Sequence, residues 1–432
     1  MRRAVLPDYV DPCGWNAMLP ARVARPAATG TKRVKYAVVG AGYTGLAAAR
    51  RLHELDPQHE IALLEGSTIG EGSSARNSGF MTPRDSKIGL SVADMPRTEQ
   101  INAFSEEGFS YLQAAMTAGG FAIDLVRSGR ITAAATELGA EKIKTMHEGA
   151  TTHGFAHVFL QGAALVDVIG SSYYRCALKI EEGYLMQPAK LVRGLAETLP
   201  QAVTLYENSP VRDLSQSVRG GAWVLHTDKA VIEADHVVLA TNAAVKQFGY
   251  WRDRVVTIYT YAGISEAMDP SQAACLGTPH WGILPAHRLG TTVRRVDDNR
   301  LMVRSLYAYE KPLDATHVRQ ALTGCFHRRY PMLDRVALDY IWGGTTALTM
   351  NGSPIWGQIR KGLYGSAGCN GSGVVKGTVL GKRLAEMIVT GDPQEALQRV
   401  YGRADWIAPE PFRTLGFHVI SAFERRKAGR EM

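Results

Sequence analysis

The sequence predicts an α/β protein in which two domains are interleaved along the chain. Three observations lead to this prediction. Residues 34–65 read as a strand, a glycine-rich turn, a helix and a second strand that ends in an acid. A mostly helical stretch from Ser91 to about Gly170 interrupts that pattern, and strands that resume it follow later. A chain of 432 residues is also too long for one ordinary core.

The glycine-rich turn reads G-x-G-x-x-G and directly follows the apolar run at residues 35–39. In this motif Gly40 permits the tight turn, Gly42 lets the backbone approach a pyrophosphate, and Gly45 lets the helix lie close to the strand. The helix N-terminus then presents unpaired N–H groups and a positive dipole end to an anion. A glycine-rich turn without function would not explain the flanking elements. The order predicts a Rossmann-type dinucleotide site.

The second strand, residues 61–64, ends at Glu65, twenty residues past Gly45. A carboxylate at this place can accept hydrogen bonds from both hydroxyls of an adenosine ribose, and it disfavours a 2′-phosphate. The loop that follows, residues 66–82, is dense in Gly and Ser and contains Arg76 and Asn77. It is either a plain surface loop or a ligand contact, and its place beside the ribose acid favours the ligand contact.

The later elements follow from local patterns. Residues 187–196 have helical spacing with a proline near the first turn. β-Branched and aromatic residues from 255 to about 304 indicate an antiparallel sheet. Further strands are predicted at 203–206, 223–227, 231–234, 235–244 and 362–367. The last of these runs into the glycine-rich turn 368–373 and a helix over 374–389, which again presents a helix N-terminus to a ligand.

These patterns divide the chain into ranges. We expect an irregular, proline-bearing N-terminal arm at 1–33 and a basic helical tail at 401–432. The nucleotide-binding domain is predicted at 34–90, 171–250 and 335–400, and the substrate domain at 91–170 and 251–334.

Composition and charge argue against several classes of protein. The net charge of +8 is spread along the chain, which gives no specific support for nucleic-acid binding. No apolar run reaches the roughly 18 residues of a membrane span, so no integral membrane association is expected and the cytoplasm is the expected location. The cysteines are scattered without metal spacing, so neither a metal site nor a disulfide framework is expected: Cys13, Cys176, Cys275, Cys325 and Cys369.

The tail allows two interpretations. Phe417, Ile420 and Phe423 precede the basic run at 424–427, as in an amphipathic helix on a membrane or partner. The other interpretation is a C-terminal helix that packs on its own domain with a solvated end, and it is favoured.

The motifs together resemble the FAD-dependent amine and amino-acid oxidoreductases of the D-amino-acid oxidase superfamily, in the branch with glycine oxidase, sarcosine oxidase and γ-glutamylputrescine oxidase. The residues that carry the resemblance are 38–46, 64–65, 69–79, 240–243 and 368–373. The resemblance implies a Rossmann-type FAD-binding domain interleaved with an α+β substrate domain that contains a mixed or antiparallel sheet.

The resemblance also implies the cofactor site. The first glycines would hold the pyrophosphate, Glu65 the ribose, the serine-rich loop the flavin, Val211 the adenine, and the last turn the pyrimidine end of the ring. The implied FAD residues are Gly40, Gly42, Tyr43, Thr44, Gly45, Glu65, Gly66, Ser73, Ser74, Arg76, Asn77, Ser78, Val211, Thr241, Gly368, Asn370, Gly371, Ser372, Gly373 and Val374.

Departures from the family pattern matter for the chemistry. Relatives that bind flavin covalently do so through a cysteine that is absent from residues 342–347, so non-covalent FAD is expected, with Cys369 as a small buried thiol. Sarcosine-type oxidases use a lysine over the ring to promote reaction with O2. Between His280 and Arg304 this chain has five arginines and no lysine, so either O2 or another acceptor is possible.

The implied reaction oxidises a C–N bond of a small amine or amino acid to the imine, which water then hydrolyses. Such a reaction mainly needs positioning. An arginine would bind a substrate carboxylate, and aromatic residues would hold the amine. The candidates are Arg304, Tyr307, Tyr259 and Trp342, with Tyr261, Tyr309, His280 and Trp281 as further members of the group. For any single aromatic residue, ordinary packing is the alternative.

Three other functions stay open at this point. An NAD-linked dehydrogenase could use the first motif, but it has no need of the last turn. A flavin-dependent dehydrogenase subunit could pass electrons to a partner, and a non-catalytic flavoprotein could serve a larger complex.

Overall fold

The structure is a computed structural model that describes residues 7, 9, 11–84, 95–217 and 221–432. The predicted boundary between residues 90 and 91 and part of the predicted arm lie outside the described residues. In chain order the strands are β1 (Gly30–Val39), β2 (Ile61–Leu64), β3 (Phe80–Met81), β4 (Val126–Arg127), β5 (Arg130–Ala134), β6 (His157–Gln161), β7 (Cys176–Ile180), β8 (Tyr184–Leu185), β9 (Val203–Tyr206), β10 (Asp213–Gln216), β11 (Trp223–His226), β12 (Ala230–Leu239), β13 (Val256–Ser265), β14 (Gly282–Pro285), β15 (Thr292–Val296), β16 (Arg300–Tyr309), β17 (Leu338–Leu348), β18 (Ile355–Arg360) and β19 (Leu363–Ala367). The α-helices are α1 (Gly14–Ala17), α2 (Tyr43–Leu55), α3 (Met95–Gly119), α4 (Glu137–Thr152), α5 (Gly162–Ile169), α6 (Pro188–Glu197), α7 (Pro270–Ala273), α8 (Ala315–Arg329), α9 (Gly373–Thr390), α10 (Glu395–Tyr401) and α11 (Phe412–Ala428).

The first sheet has a parallel centre in the order β9-β2-β1-β12, and β19 extends it as a further parallel strand. All four residues of β2 are buried, as expected of a parallel strand that is covered on both faces. The predicted segments 231–234 and 235–244 are joined in one strand, β12, which pairs with β1 from Gly30 to Val39 and ends at Leu239. Residues 240–244 lie beyond the strand, and a 3₁₀-helix begins at Asn242. β10 and β11 add an antiparallel edge.

Helices α2 and α9 cross closely on this sheet. A Cβ atom on Gly381 would lie 2.1 Å from the backbone oxygen of Thr44, and one on Gly377 would lie 2.9 Å from Thr44 Oγ1. Only glycine allows this approach without displacing one helix. The first and last parts of the predicted nucleotide domain therefore form one unit.

The second sheet has the order β17-β13-β16-β15-β14-β5-β7-β6. It is mixed, since β14 and β5 are parallel whereas the other pairs are antiparallel. A hydrophobic core of its own lies between this sheet and α8, with Phe326 and Tyr330 wholly buried. The fold class predicted from the sequence, two interleaved α/β and α+β units, is confirmed. A small third sheet consists of β3, β8 and β4.

The predicted domain ranges stay a prediction, and strand pairing indicates two adjustments to them. β17 falls in the predicted nucleotide range 335–400 but pairs along its length with β13 of the second sheet. β7 falls in the range 171–250 but pairs with β5 and β6. Both assignments depend on pairing between distant segments, which local patterns do not encode.

The N-terminal arm packs against both sheets. Trp15, in the short helix α1, is wholly buried, and its ring lies edge-on to that of Trp342 with 6.2 Å between centroids. Its Nε1 donates a hydrogen bond to the backbone oxygen of Asn77 at 2.8 Å. The arm is thus part of the wall around the serine-rich loop.

Helix α11 of the tail lies along β16. The rings of Phe417 and Tyr309 stack with centroids 4.5 Å apart, and Glu424 pairs with Arg288 at 2.9 Å. One face of α11 therefore packs on its own chain, as the favoured interpretation predicts. None of the helices in the described ranges has the length and hydropathy that a membrane span requires.

Candidate functional site

A cavity of about 1080 Å³ lies between the two sheets. This exceeds the upper end of the range of about 300–1,000 Å³ that is usual for small-molecule sites. One side consists of the carboxyl ends of β1 and β2, the loop 66–78 and the start of α9. The other side carries Thr260, Thr292 and Arg304 from the second sheet. The carboxyl edge of a parallel sheet is where such folds bind dinucleotides.

The first glycine motif forms a cradle at this edge. Gly40 has a φ of +99°, and a Cβ atom on Gly45 would lie 1.8 Å from the backbone oxygen of Gly40. A Cβ atom on Gly42 would meet Ser74 Oγ at 2.5 Å. Gly42 is the N-cap of α2, and because it has no side chain it does not cover the first turn of the helix. The N-terminus of α2 therefore faces the cavity. The geometry suits a pyrophosphate.

Glu65, which directly follows β2, lines the cavity where the sequence predicts a ribose-binding acid. Its carboxylate accepts hydrogen bonds from the backbone N–H of Ala41 at 2.9 Å and of Ser67 at 3.1 Å. Burial raises the pKa of Glu65, although these backbone hydrogen bonds act in the opposite direction. The carboxylate is held in place by the backbone and faces the cavity, as a ribose-binding acid requires.

Behind Glu65 lies an acid that the sequence did not point to. Glu207 follows β9, is wholly buried, and accepts hydrogen bonds from both terminal nitrogens of Arg22 at 2.6 and 2.9 Å. The backbone N–H groups of Arg25 and Ile69 also donate to it, each at 2.5 Å. Burial alone would raise the pKa of Glu207, but these hydrogen bonds outweigh it and lower the pKa. Glu207 thereby ties the arm to the loop beside Glu65.

The variant Glu207→Gln is expected to lose about 2 kcal/mol of the free energy of unfolding at pH 7. The reason is that the N–H₂ group of the new glutamine side chain would face N–H donors that now bond to the carboxylate. A lowered folded-state pKa means that the carboxylate stabilises the fold fully above pH 4.5, its ordinary value, and that this contribution is lost as the pH falls through the lowered pKa. The variant should therefore depend less on pH below 4.5, as measured by urea unfolding.

The matched control is Glu233→Gln, which removes an exposed carboxylate from its pair with Arg33. Exposed pairs contribute little, so a change of about 0.5 kcal/mol or less is expected. Equal losses in the two variants would show that Glu207 is no more than a surface charge.

Arg76 anchors the serine-rich loop. It is buried, pairs with Glu71 at 2.8 Å, and donates from Nη1 to the backbone oxygens of Gly343 at 2.8 Å and Asp11 at 3.0 Å. The ring of Tyr9 lies under its guanidinium, 4.1 Å away. The predicted fixed cation thus joins three segments of the chain while it lines the cavity.

The variant Arg76→Ala is expected to lower the free energy of unfolding by about 2 kcal/mol, because it leaves buried carbonyl groups and Glu71 without their donor. Urea unfolding of the flavin-free protein measures this without a contribution from the cofactor. Lys144→Ala, which breaks an exposed pair with Glu141, is the control and should change little. A loss in Arg76→Ala no larger than in this control would contradict the anchoring role.

The second glycine-rich turn places the start of α9 at the cavity. Its N-cap, Ser372, makes no side-chain cap, and residues 371–377 line the cavity. Among the described residues, three buried side-chain oxygens that belong to cavity-lining residues have no hydrogen-bond partner: Thr241 Oγ1, Asn242 Oδ1 and Thr260 Oγ1. Buried polar atoms need partners. Two helix N-termini and these atoms fit a long polar ligand such as FAD.

The structure brings most of the predicted cofactor residues to one cavity. The residues that line it are Gly40, Gly42, Tyr43, Thr44, Glu65, Gly66, Ser73, Ser74, Arg76, Asn77, Ser78, Val211, Thr241, Gly371, Ser372, Gly373 and Val374. Gly45 lies below the cradle, where it sets the packing of α2. Gly368 and Asn370 shape the last turn, and Asn370 donates to the backbone oxygens of Gly352 and Gly368. Direct contact with FAD stays a prediction for all of them.

Of the four predicted substrate residues, only Arg304 lines the cavity. Its Nη1 donates to the hydroxyl of Tyr307 at 3.0 Å. Tyr307 does not line the cavity but holds that guanidinium, and its hydroxyl donates to the Arg288 backbone oxygen at 3.1 Å. Tyr259 is buried in the core on the opposite face of the sheet. Trp342 is buried too, and its Nε1 donates to the backbone oxygen of Arg76 at 3.2 Å.

Several cavity residues were not foreseen, namely Tyr9, Arg130, Thr260, Thr292 and Lys376. Thr260 lies between Tyr259 and Tyr261, so strand alternation indicated that it faces away from them. What local sequence could not indicate is which face meets the cavity. Tyr9 reaches Ser73 Oγ at 2.6 Å from the arm, and no motif marks it.

The structure also gives the surroundings of two residues that the sequence analysis considered, Cys369 and Arg294. Cys369 is half-buried at the cavity, and its Sγ accepts a hydrogen bond from Asn242 at 3.3 Å. Arg294, one of the five arginines, is buried and donates to the backbone oxygens of Ser78, Gly79 and Met186. Burial lowers the pKa of Arg294 to about 10. Within the residues that the structure describes, no cluster of His, Cys, Asp and Glu could hold a metal ion.

Comparisons with known proteins cover most of the chain. A family model described as FAD dependent oxidoreductase (DAO) matches residues 35–387. The chain is 26% identical over 405 residues to the Probable oxidoreductase OrdL of Rhizobium meliloti (strain 1021), which covers 86% of this chain and 87% of that protein. It is 25% identical over 359 residues to the Gamma-glutamylputrescine oxidoreductase of Escherichia coli (strain K12), which covers 81% and 82%. The solved glycine oxidase from Geobacillus kaustophilus superposes with a TM-score of 0.69 at 22% identity and covers 84% of this chain and 95% of its own.

Proposed function

Because this chain belongs to the DAO family of FAD-dependent oxidoreductases, we propose that it oxidises a C–N bond of a small amino acid or of an amine that carries a carboxylate. Its cofactor is FAD. The names of two relatives, glycine oxidase and gamma-glutamylputrescine oxidoreductase, support a substrate that contains an amine. The absence of a cysteine from residues 342–347 supports non-covalent FAD.

One observation carries the substrate half of the proposal. Arg304 projects from β16 into the same cavity that α2 and α9 face, so a cation lies opposite the predicted flavin site. Among the described residues, no acidic side chain pairs with it, and Tyr307 fixes its orientation. A guanidinium in such a place suits a carboxylate, which it can bind through two hydrogen bonds.

In the proposed reaction, the C–H bond next to the nitrogen breaks and its electron pair leaves with the hydrogen as hydride, while the nitrogen lone pair forms a C=N bond. FAD, when bound, supplies the acceptor of that hydride. Water then adds to the C=N bond, and cleavage of the C–N bond gives a carbonyl compound and an amine or ammonia.

The chain's own residues position the substrate. Arg304 would hold the carboxylate, and this fixes the distance between the reacting carbon and the cofactor site. Thr292 on β15 lies directly opposite Arg304, whereas Thr260 on β13 lies opposite Tyr307, and both threonines line the same cavity.

The test is an anaerobic titration of the flavin-loaded protein, followed through its visible spectrum, with glycine, N-methyl amino acids, proline and γ-glutamyl amines. Each compound is paired with the amine that lacks the carboxylate. The proposal expects bleaching by at least one carboxylate compound and little bleaching by its partner. A flavin that stays oxidised with every compound contradicts the proposal and favours a non-catalytic flavoprotein subunit.

The electron acceptor is either O2 or another compound. Among the described residues that line the cavity, those from the second sheet include no lysine, which supports a dehydrogenase that passes electrons to a partner. Admitting air after reduction decides this point. Rapid return of the yellow colour indicates an oxidase, and slow return indicates the dehydrogenase.

A further inference from the structure

A β-bulge interrupts β16 between Arg304 and Tyr307. Where the pairing with β13 moves by one residue along β13, it passes from Tyr307 to Ser305 on β16, so the register skips Leu306. Leu306 has a φ of +62°, in the left-handed region that a leucine rarely adopts. A bulge adds one residue to a strand and re-aims the side chains around it, often beside an active site.

The bulge places Tyr307 on the same face of the sheet as Arg304. In a regular strand, residues three apart point to opposite faces. Here the partners of Arg304 and Tyr307 on β13 are two apart, and residues two apart share a face. These partners are Ala262 and Thr260. The hydroxyl of Tyr307 can therefore accept the hydrogen bond from Arg304 Nη1 at 3.0 Å, which a regular strand would not allow.

Helix α11 holds the segment that follows the bulge. A strained backbone conformation persists only where the surrounding structure enforces it. Arg425 donates from Nη2 to the backbone oxygen of Tyr307 at 3.2 Å, and Phe417 stacks on Tyr309 with 4.5 Å between centroids. The hydroxyl of Tyr309 also donates at 3.2 Å to Glu410, which directly precedes the helix region. Both residues on the far side of the bulge are thus fixed by the tail.

The same helix holds the second partner of the Tyr307 hydroxyl. This hydroxyl donates to the backbone oxygen of Arg288 at 3.1 Å. Arg288 in turn donates from Nε to Glu424 of α11 at 2.9 Å, and Glu424 lies 3.3 Å from His287. The turn between β14 and β15 is therefore tied to α11 on the side away from the cavity.

On the basis of the proposed function, we infer that α11 positions the guanidinium that binds the substrate carboxylate. Phe417 and Arg425 hold the bulge, the bulge places Tyr307, and Tyr307 orients Arg304. Among the described residues that line the cavity, none belongs to α11, so the helix acts through β16 and not by touching the substrate. Phe417 and Arg425 are positioning residues.

The first experiment measures carboxylate binding without turnover. The probe is propionate, a carboxylate that has no amine to oxidise, and it is titrated into the full-length, flavin-loaded protein while the visible flavin spectrum is followed. The double variant Phe417→Ala, Arg425→Ala should bind propionate about tenfold more weakly, because the hydrogen bond that orients Arg304 is lost. Arg426→Ala removes an exposed cation from the same helix and is the matched control, which should bind like the unaltered protein.

The second experiment distinguishes positioning from a general loosening of the fold. Glycine adopts a positive φ without strain, so Leu306→Gly should keep the bulge in place when α11 no longer holds it. Added to the double variant, Leu306→Gly should recover most of the lost affinity for propionate. If α11 only stabilised the domain, removing a further leucine that packs on the core would weaken binding more.

Two results would overturn the role of α11 alone. In the first, Arg304→Ala weakens propionate binding but the double variant does not. In the second, Leu306→Gly deepens the loss instead of reversing it. If Arg304→Ala leaves the response to propionate unchanged, the substrate half of the proposed function fails, and the role of α11 fails with it.

Discussion

Replacing Gly45 with alanine is expected to abolish tight FAD binding. The added Cβ atom would lie 1.8 Å from the backbone oxygen of Gly40 and 3.3 Å from the Cβ of Ala240, and the first of these is backbone that cannot rotate away. Helix α2 must then move off β1, and its N-terminus moves away from the cavity. Overpacking typically costs about 1–3 kcal/mol. Because the clash at Gly45 is with backbone, we expect its cost to be at or above the upper end of that range. Because about 1.4 kcal/mol is a tenfold change in affinity, a loss of about 100-fold or more is expected.

The flavin content of the purified protein and the FAD dissociation constant measure this effect. Gly324→Ala in α8 is the control, because its Cβ atom meets only the end of the flexible Arg328 side chain at 3.2 Å. That variant should keep its flavin and gain up to about 1 kcal/mol, since alanine favours helix more than glycine does. Normal FAD affinity in Gly45→Ala would mean that the cradle does not depend on close packing of α2.

Replacing Arg304 with alanine is expected to lower kcat/KM for a carboxylate substrate about 100-fold. The reason is the loss of charge-assisted hydrogen bonds, each worth about 1.5–3 kcal/mol. The same variant should act on an amine without the carboxylate with a change of less than about threefold. Steady-state kinetics with the two members of one substrate pair measure the difference.

Two further variants test what Arg304 does. Tyr307→Phe keeps the cation but removes the hydroxyl that orients it, so a smaller loss, about tenfold or less, is expected. Arg304→Lys should recover little, because an ammonium group cannot match the two oxygens of a carboxylate. Equal losses for both members of the pair would assign Arg304 to the shape of the pocket and not to the carboxylate.

Much of the fold and of the cofactor cavity could be predicted from the sequence, because glycine motifs are local. Gly40, Gly42 and Gly45 constrain the backbone wherever they occur, and the elements around them are contiguous in the chain. The substrate side was harder. Alternation showed that Tyr259 and Tyr261 share a face, but the face that meets the cavity depends on how the second sheet packs on the first.

The other contacts that the sequence did not predict have the same cause, because they join residues that are far apart along the chain. The partner of Glu207 is Arg22, 185 residues away, and nothing near Glu207 in the sequence indicates it. Trp342 was predicted to contact substrate because it is aromatic. Its ring instead packs against Trp15, and its Nε1 donates to the backbone oxygen of Arg76. Long-range pairs of this kind follow from the assembled structure alone.

The close crossing of α2 and α9 also has a consequence for biosynthesis. The cradle depends on Thr44 near the start of the chain meeting Gly377 and Gly381 more than three hundred residues later. On the ribosome, β1 and β2 are therefore made long before α9, which packs with α2 on the same sheet. Contacts between such distant segments also form slowly. Capture of FAD is expected to be a late event, and a chaperone that shields the first strands should increase the yield of flavin-loaded enzyme.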